Sequence, residues 1–120
     1  MMALYRLLKI TIACNDIAAM RAFYSKVFSV KFEEHDFGFK IYSTVIGGLN
    51  FLLCPNDIAG VDAKQNRHQF DYITDKIQEV IDNALSTGGS IHSELLKTGN
   101  ESTVTLFDPD GNTMNFIQRD

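Results

Sequence analysis

The order of elements in this 120-residue chain runs once and then runs again, and that repeat limits the fold more than any single motif does. Leu7 to Cys14 alternates. Leu8, Ile10, Ile12 and Cys14 form one face and Leu7, Lys9, Thr11 and Ala13 the other, the period-two signal of a half-buried strand. Asn15-Asp16 offers a helix cap, and Ile17, Met20, Tyr24, Val27 and Phe28 follow at helical spacing with Phe23 beside them, so a helix is predicted from Asp16 to about Phe28. Val30 to Glu34, Phe37 to Ile46 and Leu49 to Cys54 read as three further strands, broken at His35-Asp36 and Gly47-Gly48. A polar crossover from Pro55 to Arg67 leads to a second round. His68 to Thr74 reads as a strand, and Asp75 with Gln78 makes a capping box. Ile77, Val80, Ile81, Ala84 and Leu85 then form an apolar helical stripe that ends at Gly88-Gly89. Three strands complete the round: Ile91 to Lys97, Thr103 to Phe107 and Thr113 to Gln118.

The two expected caps, Asp16 and Asp75, stand 59 positions apart, about half the chain. Two successive βαβββ units are therefore predicted, each too small to bury its own sheet without the other. The chain is an α+β single domain over residues 1–120, with one module at about 5–55 and a second at about 67–119. Many strands with only two helices exclude a doubly wound parallel fold.

A net charge of −4, with the eleven Lys and Arg scattered, gives no electrostatic reason to bind nucleic acid. No apolar run approaches the ~20 residues a membrane span requires. Arg6 and Lys9 interrupt the apolar stretch at the start, so no secretory leader is read there and a cytoplasmic location is expected. Cys14 and Cys54 have no CxxC spacing and no cysteine neighbours, which suits two buried, reduced thiols.

One stretch is more particular. Leu106-Phe107-Asp108-Pro109-Asp110-Gly111-Asn112-Thr113 is strand, tight turn, strand: Pro109 presets φ, the aspartates favour the turn, and Gly111 supplies the positive φ. Together with Asn15-Asp16 followed by Ala22-Phe23-Tyr24-Ser25-Lys26-Val27-Phe28, this hairpin resembles the vicinal oxygen chelate family, which includes glyoxalase I, extradiol dioxygenases, and the fosfomycin and bleomycin resistance proteins. The resemblance runs from Leu7 to Ile117 and implies two βαβββ modules forming a curled mixed sheet around a cleft, with the helices on the outer face. It also implies a metal site, with ligands at the positions of Lys9, Gln69 and Asn115 in this chain. None of the three suits a divalent ion: a lysine is a cation without a lone pair at neutral pH, and the two amides offer only neutral oxygens. No metal and no cofactor are therefore expected.

The cleft is expected to display Lys9, Thr11, Tyr42, Gln69, Asp71 and Asn115, and the resemblance implies that Lys9 and Asp71 lie on neighbouring strands, able to pair. In that arrangement Lys9 would hold a carboxylate or phosphate while the amides orient it; the same residues could equally form an internally paired cluster that fills the space of a lost metal. His35, His68 and His92 read as surface or capping residues, and Glu33, Glu34 and Asp36 as a solvated acidic turn. The favoured function is metal-independent binding of a small drug or metabolite, with homodimerisation implied by the resemblance. Two others stay open: an enzyme of lyase, isomerase or dioxygenase type, with atypical ligands such as His68 and Asp71 or with Lys9 as acid–base group, and a non-catalytic interaction module.

Overall fold

The computed structural model describes residues 7–66 and 68–120; the expected starts of the two modules, at about residues 5 and 67, fall outside them. The chain forms β1 (Lys9–Cys14), α1 (Ile17–Val27), β2 (Glu33–Asp36), β3 (Lys40–Ile46), β4 (Leu49–Pro55), α2 (Asn56–Ala59), β5 (Phe70–Ile73), α3 (Ile77–Ser86), β6 (Ser90–Thr98), β7 (Glu101–Phe107) and β8 (Thr113–Arg119). These make two four-stranded mixed sheets with the same plan, ordered β1-β4-β3-β2 and β5-β8-β7-β6. In each, the first strand pairs parallel with the last strand of its module, and the remaining pairs are antiparallel. The predicted duplication is thus present as two sheets of identical topology.

Strand alternation sorts the side chains. On the helix side, Ile12, Phe51 and Leu53 of the first sheet join Val104, Leu106, Met114 and Phe116 of the second. Met20, Phe23, Tyr24 and Val27 of α1 and Ile77, Val80, Ile81 and Ala84 of α3 complete the same buried cluster. Each fully buried Leu, Phe or Met stabilises the fold by about 1.5–3 kcal/mol through lost apolar surface. The opposite faces of both sheets carry Lys9, Thr11, Gln69, Asp71 and Asn115.

The two stretches that carried the family resemblance touch each other. Asp108 in the terminal hairpin is buried, and its carboxylate accepts four hydrogen bonds. Oδ2 takes one from Tyr24 Oη and one from Asn112 Nδ2, both 2.9 Å. Oδ1 takes the backbone N–H groups of Asp110 (3.0 Å) and Asn112 (2.9 Å). The neighbouring Asp110 carboxylate accepts from the backbone of Asn15 (2.6 Å) and Asp16 (3.3 Å) at the entrance to α1. Asn66 of the crossover donates its backbone and side-chain N–H groups to Asn112 Oδ1, and its amide also reaches the Ala13 carbonyl at 3.0 Å. One hairpin thereby fixes the start of α1, the middle of α1 and the crossover. Burial pushes the Asp108 carboxyl up from its ordinary value, against the four donors that pull it down. Burial, and then the nearby Asp108 charge, raises the Tyr24 phenol well above its usual range, so it stays a donor.

Asp16 caps α1 as expected, accepting from Ala19 N at 3.1 Å. Asp75 does not cap the second long helix. Its N-cap is Lys76, and the orphan Ile77 N–H is taken by Gln118 Oε1 of β8 at 2.8 Å. Thr74 Oγ1 meanwhile accepts from Lys76 N, and Gln78 bonds forward to Asp82. A partner distant in sequence does the work of the local box. The acidic run belongs to β2, paired with β3, so His35 lies in a strand and contacts Ser43 Oγ at 2.8 Å. The crossover contains the short helix α2, closed by Gly60 in the left-handed region.

Candidate functional site

The first sheet holds Lys9 and Thr11 on β1. Lys9 pairs in register with Asn50, Thr11 with Leu52, Leu52 with Ser43, and Ser43 with Glu33. A groove of about 730 Å³ runs over this face, lined by Lys9, Glu33, Ser43, Val45, Asn50 and Leu52 among others. Lys9 is exposed, and among the described residues its ammonium holds no ion pair. The expected Lys9–Asp71 pair is absent among those residues.

The second sheet carries a connected polar net. Asn115 Nδ2 donates to Gln69 Oε1 at 3.0 Å and to Asp71 Oδ1 at 2.8 Å. Thr105 Oγ1 donates to Asn115 Oδ1, and Gln69 Nε2 donates to Thr113 Oγ1 at 2.8 Å. Every hydrogen-bonding group of the Asn115 amide has a protein partner. Three of the sequence-derived candidates, Gln69, Asp71 and Asn115, are therefore brought together, while Lys9 and Thr11 stand on the other sheet.

Tyr42 shares neither face. It pairs with Leu53, is buried on the helix side beneath the Arg21 guanidinium (4.8 Å from the ring centroid), and donates to Glu34 Oε1 at 3.2 Å. Its cleft assignment is corrected by alternation alone: Ser43 and Val45 face the groove, so Tyr42 cannot. Sequence reasoning missed Thr105 and Thr113, which were readable by counting strand pairs outwards from the Asp108–Asn112 turn. It also missed Glu33, Ser43 and Asn50, which needed the register of the first sheet.

The profile of the glyoxalase-like domain family matches residues 9–117. The chain belongs to that family. No curated protein sequence matches it. Among solved structures it is similar to a genomically encoded fosfomycin resistance protein from Listeria monocytogenes, with a TM-score of 0.76 and 17% identity over 98% of this chain and 94% of that one. It is also similar to a glyoxalase/bleomycin resistance protein/dioxygenase family enzyme from Burkholderia phytofirmans PsJN, with a TM-score of 0.74 and 17% identity over 96% and 99%. A third is a lactoylglutathione lyase from Agrobacterium tumefaciens, with a TM-score of 0.69 and 18% identity over 94% and 92%. Identities this low establish the shared fold and nothing of the chemistry.

For this glyoxalase-like chain the metal question turns on the donors present. A divalent ion of the kind the family resemblance implies requires imidazole or carboxylate ligands. The corresponding positions hold Lys9, Gln69 and Asn115, and no group of three or more His, Cys, Asp or Glu among the described residues is placed to hold an ion. Asp71 is the single carboxylate in the net, and it is already hydrogen-bonded to the amide at the metal-ligand position. This donor set does not fit the ion.

Proposed function

We propose that this protein binds a small anionic molecule without a metal ion, on the sheet faces opposite the helices, with Lys9 as the anchoring cation. The observation that carries this reading is the position of Lys9: an ammonium in a groove, paired in register with Asn50, with no ion pair among the described residues. A carboxylate or phosphate supplies the missing counter-charge, and the Asn50 amide beside it supplies orientation. On the other sheet the amide net holds Asn115 and Asp71 in fixed positions, as a polar wall.

The two halves lie on separate sheets of a flat molecule, 48 × 45 × 26 Å, whose open faces expose Val45 (54%) and Ile73 (67%). We propose that a homodimer covers them and lines the ligand with both halves.

Three measurements test this. Metal analysis of the purified protein is expected to find less than a stoichiometric ion; one tightly held Fe, Mn, Ni or Zn per chain overturns the metal-free reading. A thermal-shift screen with small carboxylates and phosphates is expected to give a hit that Lys9→Met removes while the melting temperature of the free protein stays level or rises. A hit that survives Lys9→Met sinks the anchor. Light scattering on the eluting protein decides the dimer, and a monomer would remove that part without touching Lys9.

A further inference from the structure

A cavity of about 490 Å³ opens on the helix side, at the seam between the two modules, away from the Lys9 groove. Its floor is an aromatic cluster: Phe28 lies 4.8 Å from Tyr72 and 5.7 Å from Phe116, and Tyr72 lies 5.2 Å from Phe116, between ring centroids. Ile10, Leu49 and Phe51 of the first sheet form the facing wall. β1 and β5 are each an edge of their own sheet.

The polar groups at the rim are unequal. Asp71 reaches the cavity only along the β5 edge, and its carboxylate is engaged by Asn115 on the other face. Thr74 and Lys76 lie on the rim where β5 runs into α3, and Lys76 holds no ion pair among the described residues. Asp71 and Lys76 carry opposite charges, but the Asp71 carboxylate is held by Asn115 on the other face, so Lys76 is the charged group turned to a ligand at the mouth, above an apolar and aromatic interior. The volume lies in the range of small-molecule pockets, and a few polar groups at one end of an apolar cavity is their usual composition.

We propose that this seam cavity is a second binding site, for a flat, mainly apolar molecule that carries one carboxylate. The rings stack against Phe28, Tyr72 and Phe116, and the carboxylate sits at the mouth beside Lys76 and Thr74. Both modules contribute walls, so occupancy ties them together and stabilises the seam.

The test uses the full chain with 1-pyrenebutyrate and its uncharged counterpart 1-pyrenebutanol, followed by pyrene fluorescence. Both are expected to bind saturably at one per chain, the acid more tightly. Lys76→Glu is expected to weaken the acid about tenfold and the alcohol less than about threefold, since an exposed charge contact is worth up to about 1 kcal/mol and its reversal somewhat more. Leu49→Trp, which fills the mouth from the first sheet, is expected to weaken both. Lys97→Gln, on the distant strand β6, is expected to change neither. Absence of saturable binding, or equal losses of acid and alcohol on Lys76→Glu, overturns the site. Binding lost on Lys9→Met but kept in Leu49→Trp places the probe on the opposite face; that outcome also overturns the seam site while leaving Lys9 as an anchor. Should Leu49→Trp fail to fold by circular dichroism, the acid-to-alcohol ratio in Lys76→Glu decides alone.

Discussion

Tyr24 and Asp108, 84 positions apart in sequence, share a buried hydrogen bond of 2.9 Å. Each belongs to one of the two stretches by which the family is recognised, so those stretches mark a joint in the fold. The phenol donates to a carboxylate shielded from water, where such a bond is worth about 1.5–3 kcal/mol. Tyr24→Phe keeps the ring, its edge contact with Phe23 at 5.3 Å and its stacking on Phe28 at 5.7 Å, and removes only the donor. Urea unfolding is expected to show a loss of that size with an unchanged m-value. A loss under about 0.5 kcal/mol would mean that the remaining three donors suffice for Asp108.

The same carboxyl sets a pH dependence. Burial raises the Asp108 pKa in the folded protein above its unfolded value of about 3.9. Between those two values the native state binds more protons than the unfolded chain does. The stability this group contributes is therefore fully present below about pH 3.9 and is lost as pH rises through the folded value. Asp108→Asn cannot titrate and serves as the reference. The stability of the original protein minus that of the variant is expected to shrink as pH rises from 3.5 to 7. A difference that grows with pH would show that the four donors outweigh burial.

Gly89 follows the positive-φ residue Gly88 at the end of α3, and it is constrained by space. A Cβ there would lie 2.5 Å from Phe23 Cε1, 2.8 Å from the Phe107 carbonyl oxygen and 3.0 Å from the Ala84 carbonyl oxygen. Two of those neighbours are backbone, and the third is a fully buried ring that cannot swing away. Gly89→Ala is expected to cost about 1–3 kcal/mol by overpacking, against a small gain from restricting the unfolded chain. Thermal unfolding beside Gly48→Ala, where a Cβ meets nothing within 4 Å but φ is +77°, separates crowding from backbone strain.

The thiols give an independent check on burial. Cys14 and Cys54 lie on adjacent strands, buried and unbridged. Burial, followed by the Asp110 charge, pushes the Cys14 thiol up to about 12, and burial also raises Cys54. Thiolate is the reactive form, so both are expected to resist iodoacetamide at pH 8 in the native protein and to react at ordinary rates in urea. Rapid native labelling of Cys54 would show that the open sheet face admits reagent.

How far the sequence reached differs between fold and site. Period-two alternation from Lys9 to Cys14 and the stripe Met20, Phe23, Tyr24 and Val27 were legible because burial imposes a period on them. Asp16 was legible as a cap because its partner, Ala19, is three residues away. Asp75 misled because the competing acceptor, Gln118, comes from a strand more than forty residues on, and local rules carry no information about it. Gln69, Asp71 and Asn115 could be placed together because β5 pairs with β8 in register. Tyr42 was misplaced because one residue of shift reverses every side chain on a strand.

Asn115 offers the most direct probe of the altered site. Its Nδ2 donates to two acceptors, Asp71 Oδ1 and Gln69 Oε1, and its Oδ1 accepts from Thr105. Asn115→Asp keeps the shape and turns the donor into a carboxylate oxygen facing both acceptors. Two like charges at this distance disfavour joint ionisation, so the pair's proton affinity rises in the folded state. By the linkage argument applied to Asp108, the variant is expected to come nearest the original protein below about pH 4, short of the hydrogen bond that a single carboxyl O–H cannot replace, and to fall further behind as pH rises through the carboxylate range. The deficit at pH 7 is about 0.5–1 kcal/mol, since the face is open to solvent and screened. Raising the salt concentration at pH 7 is expected to narrow the gap, because screening weakens repulsion between exposed charges and leaves the lost hydrogen bonds unchanged. A gap independent of both pH and salt would assign the whole cost to hydrogen bonding, and would mean that Asp71 turns away from residue 115 once the amide is gone.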